Sequence, residues 1–178
     1  YANVSGTVYG IYLRNSIGYN VSFNSITSSA GGTTSGTLRG IYNQSASNTP
    51  TGTFTNNINN NTIALTYGVS TGTLQGITVE ATNATTTSAQ NINNNNFTAL
   101  TGSIATSATI TAISTVAPHL TLNVNGNTFT NITTNTTGSF TFVNHGYTMP
   151  AAGSQTFNNN SIVTGFNKTG AGGTVTIA

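Results

Sequence analysis

Apolar residues recur along this chain inside one short phrase: apolar, two small or polar residues, Asn, a small polar residue, apolar. It reads Val21-Ser22-Phe23-Asn24-Ser25-Ile26, then Ile58-Asn59-Asn60-Asn61-Thr62-Ile63. It returns as Ile92-Asn93-Asn94-Asn95-Asn96-Phe97, Val124-Asn125-Gly126-Asn127-Thr128-Phe129 and Phe157-Asn158-Asn159-Asn160-Ser161-Ile162. The key Asn residues lie 37, 34, 32 and 33 positions apart. A period in the range of roughly 20–50 residues predicts a stack of similar units, each burying its apolar face against its neighbours.

A second phrase alternates with the first. Thr7-Val8-Tyr9-Gly10-Ile11-Tyr12 recurs as Thr37-Leu38-Arg39-Gly40-Ile41-Tyr42 and Thr73-Leu74-Gln75-Gly76-Ile77-Thr78. It degrades to Thr109-Ile110-Thr111-Ala112-Ile113-Ser114 and Ser139-Phe140-Thr141-Phe142-Val143-Asn144. From the last apolar residue of each Asn phrase to the start of the next Gly phrase is always 10 to 12 positions, whereas the other connection varies. One coil built five times accounts for this, with boundaries near 7–36, 37–72, 73–108, 109–138 and 139–178 in a single segment, 1–178. The variable insertions then belong to loops on one side of the stack.

Within the Asn phrase, the pair before the key Asn suits a tight bend, because Asn and Gly tolerate positive φ. Ser22-Phe23 is the exception and weakens the first coil. Alternation along the following strand turns Asn24, Asn61, Asn95, Asn127 and Asn160 inward. A buried carboxamide is costly unless bonded, and copies stacked about 4.8 Å apart satisfy one another. Asn61, Asn95 and Asn127 are therefore expected to be buried and mutually bonded, and Asn59, Asn93 and Asn125 to be exposed bend residues. Gly10, Gly40, Gly76 and Ala112 are expected to form a second column of bends, beside an apolar stack of Ile11, Ile41, Ile77, Ile113 and Val143.

Composition supports an all-β chain. The 178 residues include 27 Asn and 38 Thr, and apolar side chains make up 35%. Charged residues make up 2%, against about 25% in an average domain. They are Arg14, Arg39, Lys168 and Glu80. Three scattered cations make no nucleic-acid footprint, so no nucleic-acid partner is expected. No apolar run reaches the roughly 20 residues of a membrane helix. Cysteine is absent, which removes disulfides and thiolate metal sites.

The stretch Gly10-Ile11-Tyr12-Leu13-Arg14-Asn15, followed by Asn20-Val21-Ser22-Phe23-Asn24-Ser25-Ile26, resembles the repeat of right-handed parallel β-helix proteins. That group includes pectate-lyase-like enzymes, phage tailspikes and bacterial surface proteins. The resemblance covers residues 7–165 and implies a right-handed parallel β-helix of about five coils. It says little of function, because the repeat carries the core and not a site. The uncharged, Asn- and Thr-rich style is similar to secreted surface proteins, which implies an extracellular or cell-surface location.

Enzymes of that group depend on carboxylates. Calcium sites use six to eight oxygens, usually several from carboxylates, and glycoside hydrolysis usually needs a carboxyl pair. The chain holds one carboxylate side chain, Glu80. No catalytic activity, cofactor or metal is therefore expected. Alignment of the phrases puts Arg14, Gln44, Glu80, Val116 and Gly146 in one column, with Arg14 and Glu80 about 9.6 Å apart, a separation their long side chains can bridge. His119 and His145 fall in variable loops, at different phrase positions, and lack a third ligand. Of ten Asn-x-Ser/Thr sequons, about eight are expected by chance. Asn83, Asn131, Asn135 and Asn167 fall outside the expected core as accessible glycosylation acceptors.

These readings favour a structural or adhesive extracellular β-helix: a filament subunit, or a segment of a stalk or adhesin. A carbohydrate-binding module is the alternative, and a concave face bearing rings such as Tyr12 and Tyr42 favours it. Carbohydrate processing ranks lower. Ice binding comes third, because the Thr-x-Thr runs fall at different phrase positions. The chain opens without Met on Ala2-Asn3-Val4-Ser5-Gly6 and closes on Gly173-Thr174-Val175-Thr176-Ile177-Ala178, both repeat-like. End-to-end self-association, or continuation of a longer stack, is expected, with glycans or surfaces as further contacts.

Overall fold

The computed structural model describes residues 6–28, 36–44, 52–68, 71–80, 88–102 and 107–177. The fold is an all-β parallel solenoid with no helix among those residues. Each pass contributes three strands: β1 (Val8–Arg14), β2 (Asn20–Ser22) and β3 (Ser25–Thr27) in the first, β4 (Thr37–Gln44), β5 (Thr55–Asn59) and β6 (Thr62–Tyr67) in the second. The third holds β7 (Thr73–Glu80), β8 (Ala89–Asn93) and β9 (Asn96–Gly102), the fourth β10 (Thr109–Thr115), β11 (Thr121–Asn125) and β12 (Thr128–Thr134). The fifth holds β13 (Phe140–His145), β14 (Ser154–Thr156) and β15 (Ser161–Lys168), and β16 (Val175–Thr176) begins another.

Copies of each strand pair with one another and with nothing else. Sheet A runs β1-β4-β7-β10-β13-β16, sheet B β2-β5-β8-β11-β14 and sheet C β3-β6-β9-β12-β15, all parallel. The stack is about four turns high. Five passes enclose four strand-to-strand steps in sheets B and C, so the expected five coils differ from this only in how partial turns are counted.

The core is a set of stacked columns. Ile41, Ile77 and Ile113 from sheet A, Ile58, Ile92 and Val124 from sheet B, and Ile63, Phe97 and Phe129 from sheet C are almost wholly buried. Burial of such side chains contributes about 1.5–3 kcal/mol each. In the third and fourth passes Phe replaces Ile in sheet C: Phe97 stacks on Phe129 at 5.1 Å, and Phe129 meets Phe142 edge-on at 4.9 Å. Toward β15 the core opens into a cavity of about 160 Å³ lined by Phe129, Phe142, Phe157, Ile162 and Ile177.

The Gly column differs from expectation. Gly10, Gly40, Gly76 and Ala112 lie inside β1, β4, β7 and β10, and the strand does not turn there. It slips phase instead. A Cβ on Gly40 would point at Ile63 and Leu65, yet Ile41 beside it is also buried in the core. Glycine is required for space: a Cβ at Gly76 would lie 2.5 Å from the Phe97 ring and 2.5 Å from the Ala112 carbonyl oxygen. In the first three passes the apolar residue that closes the Asn phrase (Ile26, Ile63 and Phe97) plugs this gap. In the fifth pass Phe142 fills the column itself, and Ile162 across from it is left 42% exposed.

The Asn bends also differ in detail. Only the second residue of each pair takes positive φ: Phe23 (61°), Asn60 (57°), Asn94 (56°), Gly126 (66°) and Asn159 (57°). The first coil therefore bends like the rest, with an 83% exposed Phe in a conformation that disfavours a bulky side chain. Asn59, Asn93 and Asn125 are not exposed bend residues. They end β5, β8 and β11 half-buried, and each Oδ1 accepts from a neighbouring pass.

Candidate functional site

Two arrangements stand out: amide columns along one edge of the stack, and a compact aromatic and ionic patch on sheet A. The inner column contains the expected residues. Nδ2 of Asn24, Asn61, Asn95 and Asn127 donates to Oδ1 of the next key Asn at 3.0, 2.9, 3.0 and 2.9 Å. The backbone N–H of each donates to the same oxygen at 3.0 Å. From Asn61 onward the second Nδ2 proton reaches back to a carbonyl of the preceding pass, as from Asn95 to Ile58 O at 2.9 Å, whereas Asn24 Nδ2 turns to Ser22 O in its own pass. Asn61, Asn95 and Asn127 are buried, and Asn24 and Asn160 are half-buried. Donors and acceptors of the central amides are thus all satisfied, as burial demands.

Two further columns flank it, and the sequence reading missed both. At the bend, the backbone N–H of Asn93, Asn125 and Asn158 donates to Oδ1 of Asn59, Asn93 and Asn125 at 2.9, 2.9 and 2.7 Å. On the outer face of sheet B, Asn91 Nδ2 donates to Asn57 Oδ1 and Asn123 Nδ2 to Asn91 Oδ1, both at 2.8 Å, and Thr156 Oγ1 donates to Asn123 Oδ1 at 2.8 Å. The signal was present in the spacing, since Asn57, Asn91 and Asn123 recur with the same period.

The second arrangement lies outside sheet A. Because the strands slip phase at Gly10 and Gly40, Tyr9 and Tyr12, three apart, share one face, as do Arg39 and Tyr42. Register then places Tyr12 beside Tyr42 and Thr78, Tyr9 beside Arg39 and Gln75, and Arg14 beside Gln44 and Glu80. The Tyr12 and Tyr42 rings stack at 5.7 Å with 6° between planes, and Tyr9 stacks on Tyr12 at 4.7 Å. The Arg39 guanidinium lies 3.9 Å from the Tyr42 ring centre.

Polar contacts knit this patch together. Arg39 Nε donates to Gln75 Oε1 at 2.5 Å, and its Nη2 lies 3.5 Å from Glu80 Oε1. The Tyr42 hydroxyl donates to Glu80 Oε2 at 2.5 Å, and the Tyr12 hydroxyl to Gln44 Oε1. Burial, reinforced by the Glu80 carboxylate, pushes the Tyr42 phenol up to about 12, so it stays a donor. The expected column Arg14-Gln44-Glu80 is present, but Glu80 pairs with Arg39 rather than Arg14. Arg14 is in register with Glu80 two strands away, whereas Arg39, in register with Gln75, reaches Glu80 across the Tyr42 ring.

Of the glycosylation acceptors, Asn131 is exposed at a bulge in β12 with φ 53°, Asn167 is exposed in β15 and Asn135 is half-buried. Asn83 lies outside the described residues. The histidines part company. His119 is 1% exposed, with Nδ1 3.0 Å from the Ser88 hydroxyl, and desolvation lowers its pKa to about 4. His145 is half-buried, 4.3 Å from the Tyr147 ring, and burial lowers its pKa too. No group of three metal-ligating side chains occurs among the described residues. No protein-family model, curated protein sequence or solved structure matches the chain.

Proposed function

We propose that this chain is a structural and adhesive segment of an extracellular, right-handed β-helix. The observation that carries the reading is the set of parallel amide columns, which tie each pass to the next beside the backbone ladders. A net gain of about 0.5–1.5 kcal/mol per bond, repeated in every pass, favours a stiff rod. Right-handedness is supported by the strong preference of parallel crossover connections for that hand. Reliance on amides and hydroxyls instead of charges suits an exterior setting of variable ionic strength, since neutral hydrogen bonds are not screened by salt. The single carboxylate side chain supports a non-enzymatic role.

The columns also favour a particular mode of association. Along the inner column each amide donates toward the later pass, and at the bend each backbone N–H donates toward the earlier one. Each column therefore presents donors at one end and acceptors at the other. A further coil, whether from a longer chain or a second copy, fits head to tail and mismatches head to head. Antibody labelling of intact source cells tests the reading, together with electron microscopy of the native material. Surface label on straight rods is the expected result; a cytoplasmic pool of globular particles overturns it.

A further inference from the structure

We propose that the outer face of sheet A across β1, β4 and β7 is a binding site for a neutral glycan, with Tyr12 as its stacking platform. The proposal does not depend on the rod reading.

The first observation is concentration. Three of the four charged side chains (Arg14, Arg39 and Glu80) and three tyrosines meet on one face of three adjacent strands. The same columns in β10 and β13 carry Thr111, Ser114, Thr141 and Asn144, with neither ring nor charge. Fold maintenance does not need this chemistry, because β10 and β13 pair in the same register without it.

The second is how the groups are spent. The Arg39 guanidinium is engaged by Gln75, Glu80 and the Tyr42 ring, which blunts its pull on an anion. Tyr42 is 4% exposed and serves as support. Tyr12 is 43% exposed and lies on that support, so it offers a wide apolar surface whose orientation is already fixed. A pre-ordered ring costs a ligand little entropy on binding. Gln44 accepts from the Tyr12 hydroxyl, and two strands away, beyond Tyr42, stand Gln75 and Glu80: a carboxylate that accepts and two carboxamides, each with an amino group that donates. The Thr78 hydroxyl, buried among them, meets no partner among the described residues.

An apolar ring face bordered by separate donors and acceptors matches a pyranose, with its C–H face on one side and hydroxyls, each donor and acceptor at once, at its edge. An anionic sugar finds no unshared guanidinium except Arg14 at the margin.

The test is a titration of the intact chain with hexasaccharides of neutral hexoses, using polygalacturonate as the acidic comparison. Calorimetry reads affinity, and NMR shifts locate it. At least one neutral hexasaccharide is expected to bind, with shifts gathered on Tyr9, Tyr12, Gln44 and Glu80. Tyr12→Ala should weaken it by about tenfold or more, as expected for an aromatic anchor, while Tyr12→Phe retains the platform and most of the affinity. Thr141→Ala, on the same face outside the patch, should change nothing. Melting curves confirm that each variant is folded, and the wild-type shift map stands even if one is not. Absence of binding to every neutral hexasaccharide at millimolar concentration, binding to polygalacturonate alone, or shifts elsewhere on the stack each overturn the proposal.

Discussion

Single residues carry unequal loads in this stack. The Asn95 side chain makes four bonds within a dry column, so Asn95→Ala strands a neighbour's donors and is expected to cost on the order of 1–3 kcal/mol. Asn93→Ala removes one acceptor at a half-buried edge and should cost distinctly less, though more than a free surface site. Urea melts of the two variants check the order, and equal midpoint shifts would refute it. Gly76→Ala forces a methyl against the Phe97 ring and the Ala112 carbonyl, and overpacking of this kind costs about 1–3 kcal/mol. Gly6→Ala, with nothing within 4 Å of the added Cβ, should be close to neutral in the same assay.

At the scale of elements, the turns and corner loops give two contrasting expectations. Phe23 holds φ 61° at 83% exposure, where Asn60 and Asn94 do the same job in later passes. Phe23→Asn should therefore stabilise the first turn, by roughly 0.5–1 kcal/mol given the cost of a left-handed backbone for a bulky residue. A lower melting temperature for this variant would contradict the account. The loop between β10 and β11 buries His119 in its neutral form. Its folded pKa of about 4 lies below its ordinary 6.5, so the unfolded chain binds the proton more readily. Stability is then full above pH 6.5, falls as pH drops from 6.5 to about 4, and levels off below that. The loss is on the order of 3 kcal/mol by linkage. His145 adds a smaller loss of the same sign. With Glu80 as the sole carboxylate side chain, little else titrates there. Denaturant melts from pH 7 to 4 should show the slope, and His119→Gln should flatten most of it.

For the whole molecule, parallel stacking makes stability nearly one-dimensional, because each pass pairs its strands only with the passes beside it. The Tyr19 hydroxyl, which donates to Gln90 Oε1 two passes on at 2.8 Å, is a longer tie. The passes holding Asn61, Asn95 and Asn127 pair with a pass on each side, whereas the pass holding Asn24 pairs only with the later one among the described residues. Hydrogen exchange should therefore be slowest in the second to fourth passes and speed up toward the first. Uniform protection along the stack would instead indicate a single cooperative unit or a covered first pass.

The sequence by itself determined the parallel stack, the order of its sheets and the inner amide column. That information is one-dimensional: a repeat near 34 residues with invariant apolar positions admits one economical arrangement, each copy on the next. Asn24 through Asn160 were legible because an inward amide in every copy has only its own copies as partners. The tertiary structure decided what depends on phase within a strand. Strict alternation puts Tyr9 and Tyr12 on opposite faces; the slip at Gly10 puts them together, and so assembles the tyrosine patch. The same face brings Arg39 to Glu80 in place of Arg14, with the Tyr42 ring and hydroxyl between them engaging both. His119 lies in a loop that composition alone reads as exposed, yet it is sealed against Ser88 and Tyr147. Its burial depends on Ser88 and Tyr147, supplied by the passes on either side, meeting it at one corner, a contact among distant residues that no local pattern encodes.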